Sequence, residues 1–482
     1  MTPDLPTLIR TAQAQLRAGQ ADAAAASFAQ VVAADPRQAD AWFNLAWLHR
    51  SGRRFAAALD AYARAIAAGV ARPEEAHLNR AAILADHLFR PDSAVAELRL
   101  ALALDPHFLP AWLNLGSIAE DQGDAAAARD AYEAVVRLEP GNGRARARLA
   151  ALDLIVGRAG EAAAALKASL PLAATPDDQA DMLFALGNAL DAQRAYGDAW
   201  PAFEAGNWIA RSLAATPHDP AAHAALIDRL IAAFPQPPTL LPAEAGPTPV
   251  FVCGMFRSGS TLAEQILGRH PLVAARGELE TVPALAGSLR PYPEALAGLD
   301  ADAWRELRER YREELGALPP GARAWTDKRC DNYLHIGLIK AMFPTARIVE
   351  TVRQPLDNLL SAWFLRFGEG VTHAHDLAAA AHHYVEYRRL MAHWRALWPD
   401  SIHRFDYDRA VAAPREAVAA LLADLGLPWD EACLTPERGA GPVRTASAWA
   451  VRQPLHTRSS GRWRHYAEHL DGVRAILAAA GL

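Results

Sequence analysis

Between Gly254 and Thr261 the chain reads Gly-Met-Phe-Arg-Ser-Gly-Ser-Thr, with a guanidinium at Arg257 and hydroxyls at Ser258, Ser260 and Thr261 around Gly259. Backbone N–H groups of such a turn, and of a helix starting on it, converge on one spot and favour an anion. The spacing is that of the nucleotide loop GxxxxGK[ST], but Ser260 stands where the lysine belongs. A nucleoside triphosphatase needs that lysine on the β- and γ-phosphates and a hydroxyl on Mg²⁺. No nearby acidic motif supplies a second metal ligand, so a P-loop kinase is disfavoured. What fits is an anion less charged than a triphosphate. Taken alone, the segment also fits a plain strand–turn–helix with an incidental anion site. A second basic group, Arg353, is followed eight residues later by Ser361. A guanidinium fork grips phosphate oxygens, and a hydroxyl about two helical turns further on joins it if the chain bends back. Alone, Arg353 reads equally as a structural ion pair.

These residues need elements to hold them. PVFVCGM is a short apolar strand that runs into the Ser/Gly turn and then the helix TLAEQILGRH. A second strand, Ala346 to Val352, leads through Arg353 and Gln354-Pro355 into the helix LDNLLSAWFLRF. SIHRFDYD, near Ile402, is a weaker third strand. Strands alternating with helices predict a parallel sheet covered on both faces.

The segment PVFVCGMFRSGSTLAEQIL, with Arg353 and Ser361 after the second strand, resembles the sulfotransferases. The resemblance covers Pro249 to about Leu470 and is nearest to the tyrosylprotein sulfotransferase branch and its bacterial relatives. It implies an α/β P-loop-like domain using 3′-phosphoadenosine 5′-phosphosulfate (PAPS) as donor. Arg257, Ser258, Gly259, Ser260 and Thr261 would hold the 5′-phosphosulfate, and Arg353 and Ser361 the 3′-phosphate. The branch uses a Glu as base, where small-phenol enzymes use His. HPLVAARGELETVP places Glu278 in that role with Glu280 as the alternative, although Glu280 also fits a carboxylate at a helix N-terminus. TDKRCDN places Lys328 on the departing bisphosphate oxygen, unless it is merely an exposed lysine. TASAWAVRQPLHTRSSGRWRHY places Ser447 and Arg462 on the transferring group. From Gly439 to Ala467 there are five arginines and no acidic residue, as over an anionic donor. Arg462 precedes Trp463 where animal members carry Lys, and their paired cysteines are missing. These departures leave the acceptor open: protein tyrosine is what the branch implies, with a saccharide, a lipid or a small molecule as alternatives.

Residues 1–212 are Ala-rich and repetitive. AWFNLAWLHRSGRRFAAALDAYARAI from Ala41, AHLNRAAILADHLFRPDSAVAELRLAL from Ala76 and AWLNLGSIAEDQGDAAAARDAYEAVV from Ala111 align with each other, so Asn44, Asn79 and Asn114 recur every 35 residues. Asp35-Pro36, Asp105-Pro106 and Glu139-Pro140 close successive units, and Gly52, Gly123 and Gly157 mark the turns. A lone helix pair cannot bury its apolar face, so the pairs stack as an all-α solenoid. This resembles the tetratricopeptide repeat family, at about five to six units, and implies a protein or peptide partner. On the first helix of each pair the three asparagines would form a ladder able to grip a peptide backbone, since a carboxamide both donates and accepts. Asparagines that bond within their own repeat fit the pattern equally. Residues 213–248 carry eight prolines counting Pro249 just beyond, and read as a connection with one helix near Ala221–Phe234. Residues 249–482 are the sulfotransferase-like part.

The net charge of −6 excludes a general polyanion binder, nucleic acid included. Cys253, Cys330 and Cys433 are scattered, so neither a disulfide framework nor a zinc site is expected of them. No stretch approaches the ~20 apolar residues of a membrane span, and MTPDLPTLIR lacks a leader pattern; a cytoplasmic location is expected. His373, His375, His382 and His383 with Asp376 could suggest a metal cluster. Adjacent helical positions point about 100° apart, however, sulfuryl transfer needs no metal, and none is expected. Trp363, Phe364 and Phe367 read as core rather than as an adenine platform. The rival from another class is a repeat scaffold with an inactive donor-like domain. Joint retention of Arg257, Glu278, Lys328, Arg353 and Ser361 argues against it.

Overall fold

Small residues facing large ones set the helix pairing of the N-terminal half. The computed structural model describes residues 4–238, 241–439 and 448–482, in two compact units divided after Leu152. In the first, α1 (Leu5–Arg17) pairs with α2 (Ala21–Ala34), α3 (Ala39–Ser51) with α4 (Phe55–Ala67), and α5 (Pro73–Ala82) with α6 (Pro91–Leu104). α7 (Leu109–Gln122) pairs with α8 (Ala125–Leu138), and α9 (Gly143–Ile155) follows. A Cβ on Gly116 would lie 2.5 Å from the Tyr132 ring, so only glycine lets α7 and α8 approach this closely. The repeat is visible in its hydrogen bonds. The indole of Trp42 donates to the carbonyl of Pro36 at 2.9 Å, and that of Trp112 to Pro106 at 3.0 Å.

The second unit begins with four more helices: α10 (Ala159–Ser169), α11 (Pro176–Ala192), α12 (Tyr196–Leu213) and α13 (Pro220–Ala233). α11 and α12 are built like a repeat, because a Cβ on Gly187 would lie 2.6 Å from the Phe203 ring. Besides each other and α10, they also meet the α/β part, through Asn188, Asp191 and Asn207. The division by packing lies at residue 152, so this helix pair belongs to the second unit. The Pro-rich stretch 213–248 likewise contributes α13, capped by Asp219 and packed on the later helix α19 (Leu377–Leu397).

The remaining elements, in order, are β1 (Thr248–Gly254), α14 (Ser260–Gly268), β2 (Val273–Ala275), α15 (Thr281–Ser288), α16 (Ala301–Leu315), β3 (Ala324–Lys328), α17 (Ile336–Met342), β4 (Arg347–Val352) and α18 (Pro355–Trp363), then α19. β5 (Ile402–Asp406), α20 (Tyr407–Ala412), α21 (Pro414–Asp424), α22 (Ala448–Val451) and α23 (Asp471–Ala479) complete the chain. The five strands are all parallel, in the order β2-β3-β1-β4-β5. Alternation along β1 sends Val250 and Val252 into a core with Ile266, Val349, Phe405 and Leu421, and Phe251 to the opposite face against Tyr311, Trp325 and Phe343. With both faces covered, β1 is apolar throughout. From β1 the chain goes first to the β2–β3 side and then returns to β4 on the other. The carboxyl ends of β1 and β4 therefore flank a topological switch point, where open parallel sheets bind ligands.

Candidate active site

The turn after β1 is forced into shape by crowding. Gly254 sits at φ 146° beside Thr351 of β4; a Cβ there would come within 2.4 Å of the Thr351 carbonyl oxygen. Gly259, at φ 103°, begins α14 and has no room for a Cβ beneath Tyr407. Arg257 adopts φ 69° although it is not glycine, a conformation that costs about 1 kcal/mol or more and that its surroundings must hold. They do so from below. Ser258 Oγ donates to the Met255 carbonyl at 2.6 Å and lies 2.7 Å from Thr351 Oγ1, and Asn358 Nδ2 donates to the Phe256 carbonyl at 2.8 Å.

Above the turn lies a cavity of about 370 Å³. Arg257, Gly259, Ser260, Thr261, Arg353 and Ser361 all line it. The Arg257 guanidinium donates through Nε to Ser361 Oγ at 3.3 Å, so the loop and α18 meet at the cavity. Ser258 differs from the expectation. Its hydroxyl is fully buried and committed to the loop's own frame, so it braces the turn and does not face the cavity.

Arg353 is nearly buried, and its guanidinium lies 4.8 Å from the Tyr407 ring. It donates to the backbone carbonyls of Arg257, at 3.4 Å, and Ser459, while its buried Nε has no partner among the described residues. Burial and the nearby Arg353 push Arg257 down to about 10, still charged at neutral pH. Burial also lowers Arg353. Two largely desolvated cations held close together are costly, and an anion bound between them would offset that cost, so the residues present fit a phosphate- or sulfate-bearing ligand.

Glu278 enters the cavity from the loop between β2 and α15, with its side chain 44% exposed. Lys328, the last residue of β3, is buried behind it and donates to Glu278 Oε1. Burial alone would lower this lysine, but the carboxylates of Glu278 and Glu264 outweigh it and hold it above its ordinary value. Glu280 stands apart: it is paired with Arg329 at 2.6 Å and does not line the cavity. Ser447 lies outside the described residues.

Arg462 lines the cavity as well, but it is held from an unforeseen direction. Its Nε donates to Asp191 Oδ1 of α11 at 3.0 Å, a second nitrogen lies 2.6 Å from Asp191 Oδ2, and the guanidinium rests 4.6 Å from the Phe364 ring. Tyr466 donates to the same carboxylate at 2.6 Å. Asp357 at the start of α18 accepts from the backbone of Gly461 at 2.5 Å and Trp463 at 2.8 Å, docking the whole segment. Asp191, Asp357, Tyr407 and Cys330, whose Sγ lies 3.4 Å from Ser260 Oγ, carried no local signal in the sequence.

Of the aromatic trio, Trp363 and Phe364 are core, Trp363 tilted against Trp200 at 4.4 Å and Phe364 stacked on Phe203 at 4.0 Å. Phe367 instead faces the cavity beside Phe256. The adjacent histidines separate as helical geometry requires, His382 exposed and His383 buried. His375 is bonded to Asn207 and to the Phe367 carbonyl, and Asp376 caps α19. In the first unit, Asn44 and Asn79 each donate to the carbonyl four residues earlier at 2.9 Å, and Asn79 also accepts from Arg50 at 2.7 Å.

Comparison with known proteins agrees with this organisation. The profile of the sulfotransferase family matches residues 249–431, and that of the tetratricopeptide repeat matches 9–76, 79–143 and 113–179. An uncharacterized protein of Aquifex aeolicus (strain VF5) is 32% identical over 272 residues, 53% of this chain and 36% of its own length. Protein FlbA of Caulobacter vibrioides is 30% identical over 136 residues, 28% of this chain and 23% of its own. The chain thus spans well under half the length of these relatives. Among solved structures, the sulfotransferase domain of the Synechococcus PCC 7002 olefin synthase aligns over 50% of this chain and 98% of its own, at 19% identity and a TM-score of 0.37. The sulfotransferase domain from the curacin biosynthetic pathway aligns over 49% and 99%, at 17% and 0.36. The chain is a series of tetratricopeptide repeats followed by a sulfotransferase-family domain.

Proposed function

We propose that the domain transfers a sulfuryl group from PAPS to an acceptor hydroxyl, with protein tyrosine the first acceptor to test and the repeats recruiting a protein or peptide partner. One observation carries this reading: half-buried Arg257 and buried Arg353, with Ser361, converge at the carboxyl ends of β1 and β4, while the carboxylate of Glu278 stands at the same cavity. Arg257 and the amides at the start of α14 hold the 5′-phosphosulfate; Arg353 and Ser361 hold the 3′-phosphate. Glu278 takes the proton of the acceptor as its oxygen bonds to sulfur and the bond from sulfur to the bridging phosphate oxygen breaks. As Glu278 becomes neutral it releases Lys328, whose charge then stabilises the departing bisphosphate oxygen. In a loose transition state such positioning and charge compensation account for most of the rate. Arg462 faces the transferring group.

Transfer of labelled sulfate from PAPS tests the reading directly. Glu278→Gln should leave adenosine 3′,5′-bisphosphate binding nearly intact and lower turnover by about 10²–10⁴-fold. An unchanged rate, with loss on Glu280→Gln instead, moves the base two residues along. Arg353→Ala should weaken PAPS by about 2–5 kcal/mol and adenosine 5′-phosphosulfate, which lacks the 3′-phosphate, far less. Equal loss for both removes Arg353 from the 3′-phosphate. A thermal shift with ATP and Mg²⁺ but none with the bisphosphate would replace the donor altogether.

A further inference from the structure

Four imidazoles from three separate stretches gather on the side of the second unit formed by α13 and α19. His218 precedes α13, His223 lies in its first turns, His373 sits in the 3-10 turn after α18, and His383 lies near the start of α19. The rings of His373 and His383 are 3.8 Å apart, those of His223 and His383 4.0 Å, and His218 stands 5.4–5.7 Å from the other three. One nitrogen each of His218, His373 and His383 falls in a group no more than 4.8 Å across. Buried His218 Nε2, His223 Nε2 and His383 Nδ1 have no hydrogen-bond partner among the described residues. Each such group costs about 1–3 kcal/mol if nothing meets it. Two of the three, on His218 and His383, belong to residues of that close group.

We propose that His218, His373 and His383 bind one divalent transition-metal ion of the zinc type. Nitrogen-only donor sets suit Zn²⁺, Ni²⁺ and Cu²⁺ and not Mg²⁺ or Ca²⁺, which take oxygen ligands. The second nitrogen of His383 lies 3.0 Å from the Tyr333 hydroxyl. With the proton of Nε2 given to that oxygen, the Nδ1 lone pair is left for the ion, the outer-shell arrangement that orients ligating histidines. Coordination at about 2.0–2.1 Å draws the three nitrogens to roughly 3.4 Å from one another. The parallel His373–His383 stack, at 2°, keeps their lone pairs from converging. His373 therefore turns about its Cβ–Cγ bond, a torsion with a broad, shallow profile. Burial, and then the neighbouring rings, lower His373 to about 3 and His223 to about 4, and hold His383 well below its ordinary value; burial lowers His218 too. All are neutral at pH 7, the form that ligates. The ion would clamp the chain ahead of α13 onto the 369–375 turn, which His375 ties to the carbonyl of cavity-lining Phe367. Its role is structural and separate from sulfuryl transfer.

The experiment uses the full chain without an added polyhistidine tag. Metal content is measured before and after dialysis against EDTA, and the apo-protein is then titrated with Zn²⁺. One equivalent should bind, the melting midpoint should rise by several degrees with Zn²⁺ and not with Mg²⁺, and Co²⁺ should give the intense visible absorption of a four-coordinate site. His218→Gln, at a partly exposed position that tolerates exchange, should abolish the zinc-dependent shift without lowering the midpoint of the apo-protein by a comparable amount. His383→Phe keeps the ring stack and should do the same. No stoichiometric zinc, or an undiminished shift in both variants, overturns the proposal and leaves water as the partner of these nitrogens.

Discussion

Two helix pairs of this chain are built on one plan and put to different uses. In α7–α8, Gly116 receives the ring of Tyr132; in α11–α12, Gly187 receives Phe203, and in each case the ring follows the glycine by sixteen residues. Four residues beyond each glycine stands an acid, Glu120 or Asp191, and each takes a tyrosine hydroxyl and an arginine. Glu120 takes Tyr132 at 2.9 Å and Arg148 at 3.5 Å, all within the first unit. Asp191 takes Tyr466 at 2.6 Å and Arg462 at 2.6 Å, both from the far end of the chain. The same position therefore ties one pair to the helix that follows it, and in the other fixes a wall of the cavity above the β1 turn. Phe203 stands where the first pair has Tyr132, so Asp191 receives no hydroxyl from that ring and takes its tyrosine and arginine from the far end of the chain.

The largest effect should come from the acids. Asp191→Ala releases a partly buried Arg462 from its carboxylate partner, worth about 2 kcal/mol and so roughly 30-fold in turnover. Donor affinity should change less, and Asp191→Glu should restore part of the rate. Glu120→Ala should leave transfer to a small acceptor untouched and lower the stability of the first unit by about 1–3 kcal/mol, because the Tyr132 hydroxyl loses its buried acceptor. Equal turnover losses in the two variants would dissolve the contrast.

Next come the glycines. An added methyl at either position meets an aromatic ring, at 2.5 Å for Gly116 and 2.6 Å for Gly187, and overpacking of this kind costs about 1–3 kcal/mol. Both variants should melt earlier by a similar margin. Only Gly187→Ala should also slow transfer, since α12 carries buried Asn207, which donates at 2.9 Å to the Trp363 carbonyl and meets His375 at 2.9 Å.

A smaller effect belongs to Arg366, which pairs with Asp181 at 2.7 Å and with Asp177 on α11. These groups are partly exposed, so Arg366→Gln should cost about 0.5–1 kcal/mol. The difference should shrink in 1 M salt, where the screening length falls to about 3 Å. A loss independent of salt would mean that the arginine acts by packing.

What could be read from the sequence was what is local. The turn after β1, the Arg353–Ser361 spacing and the 35-residue repeat each lie within one or two elements, and periodicity or turn chemistry exposes them. β3 escaped because a fully buried strand carrying Asp327 and Lys328 does not look apolar; those side chains are met by Tyr311 and Glu278, from distant segments. β2 is three residues long. Ser258 was assigned by type, yet the sequence could not say that Thr351 would claim its hydroxyl. Asp191 lies 271 residues from Arg462, and His218 is far from His373 and His383, so neither contact leaves any periodic trace.

The smallest effect expected at the cavity above the β1 turn concerns the asparagines of the repeats. Asn44 and Asn79 each spend one amide hydrogen on their own helix, and Asn79 gives its oxygen to Arg50. This is what a purely structural asparagine does. It still leaves each carboxamide a second N–H, and Asn44 its oxygen, so a peptide backbone laid along successive units could be met without breaking those bonds. An extended chain advances about 3.3 Å per residue, so groups repeated along a solenoid contact several residues of one segment. Replacing Asn44, Asn79 and Asn114 together by Ala should leave PAPS affinity and transfer to a short tyrosine peptide unchanged. Transfer to a protein acceptor should fall severalfold, with helicity by circular dichroism preserved. If both acceptors react as before, the asparagines serve only their own helices, and recruitment must be sought on another face of the repeats. If both fall together, the triple change has reached the transferase through stability, and a melting curve would show it.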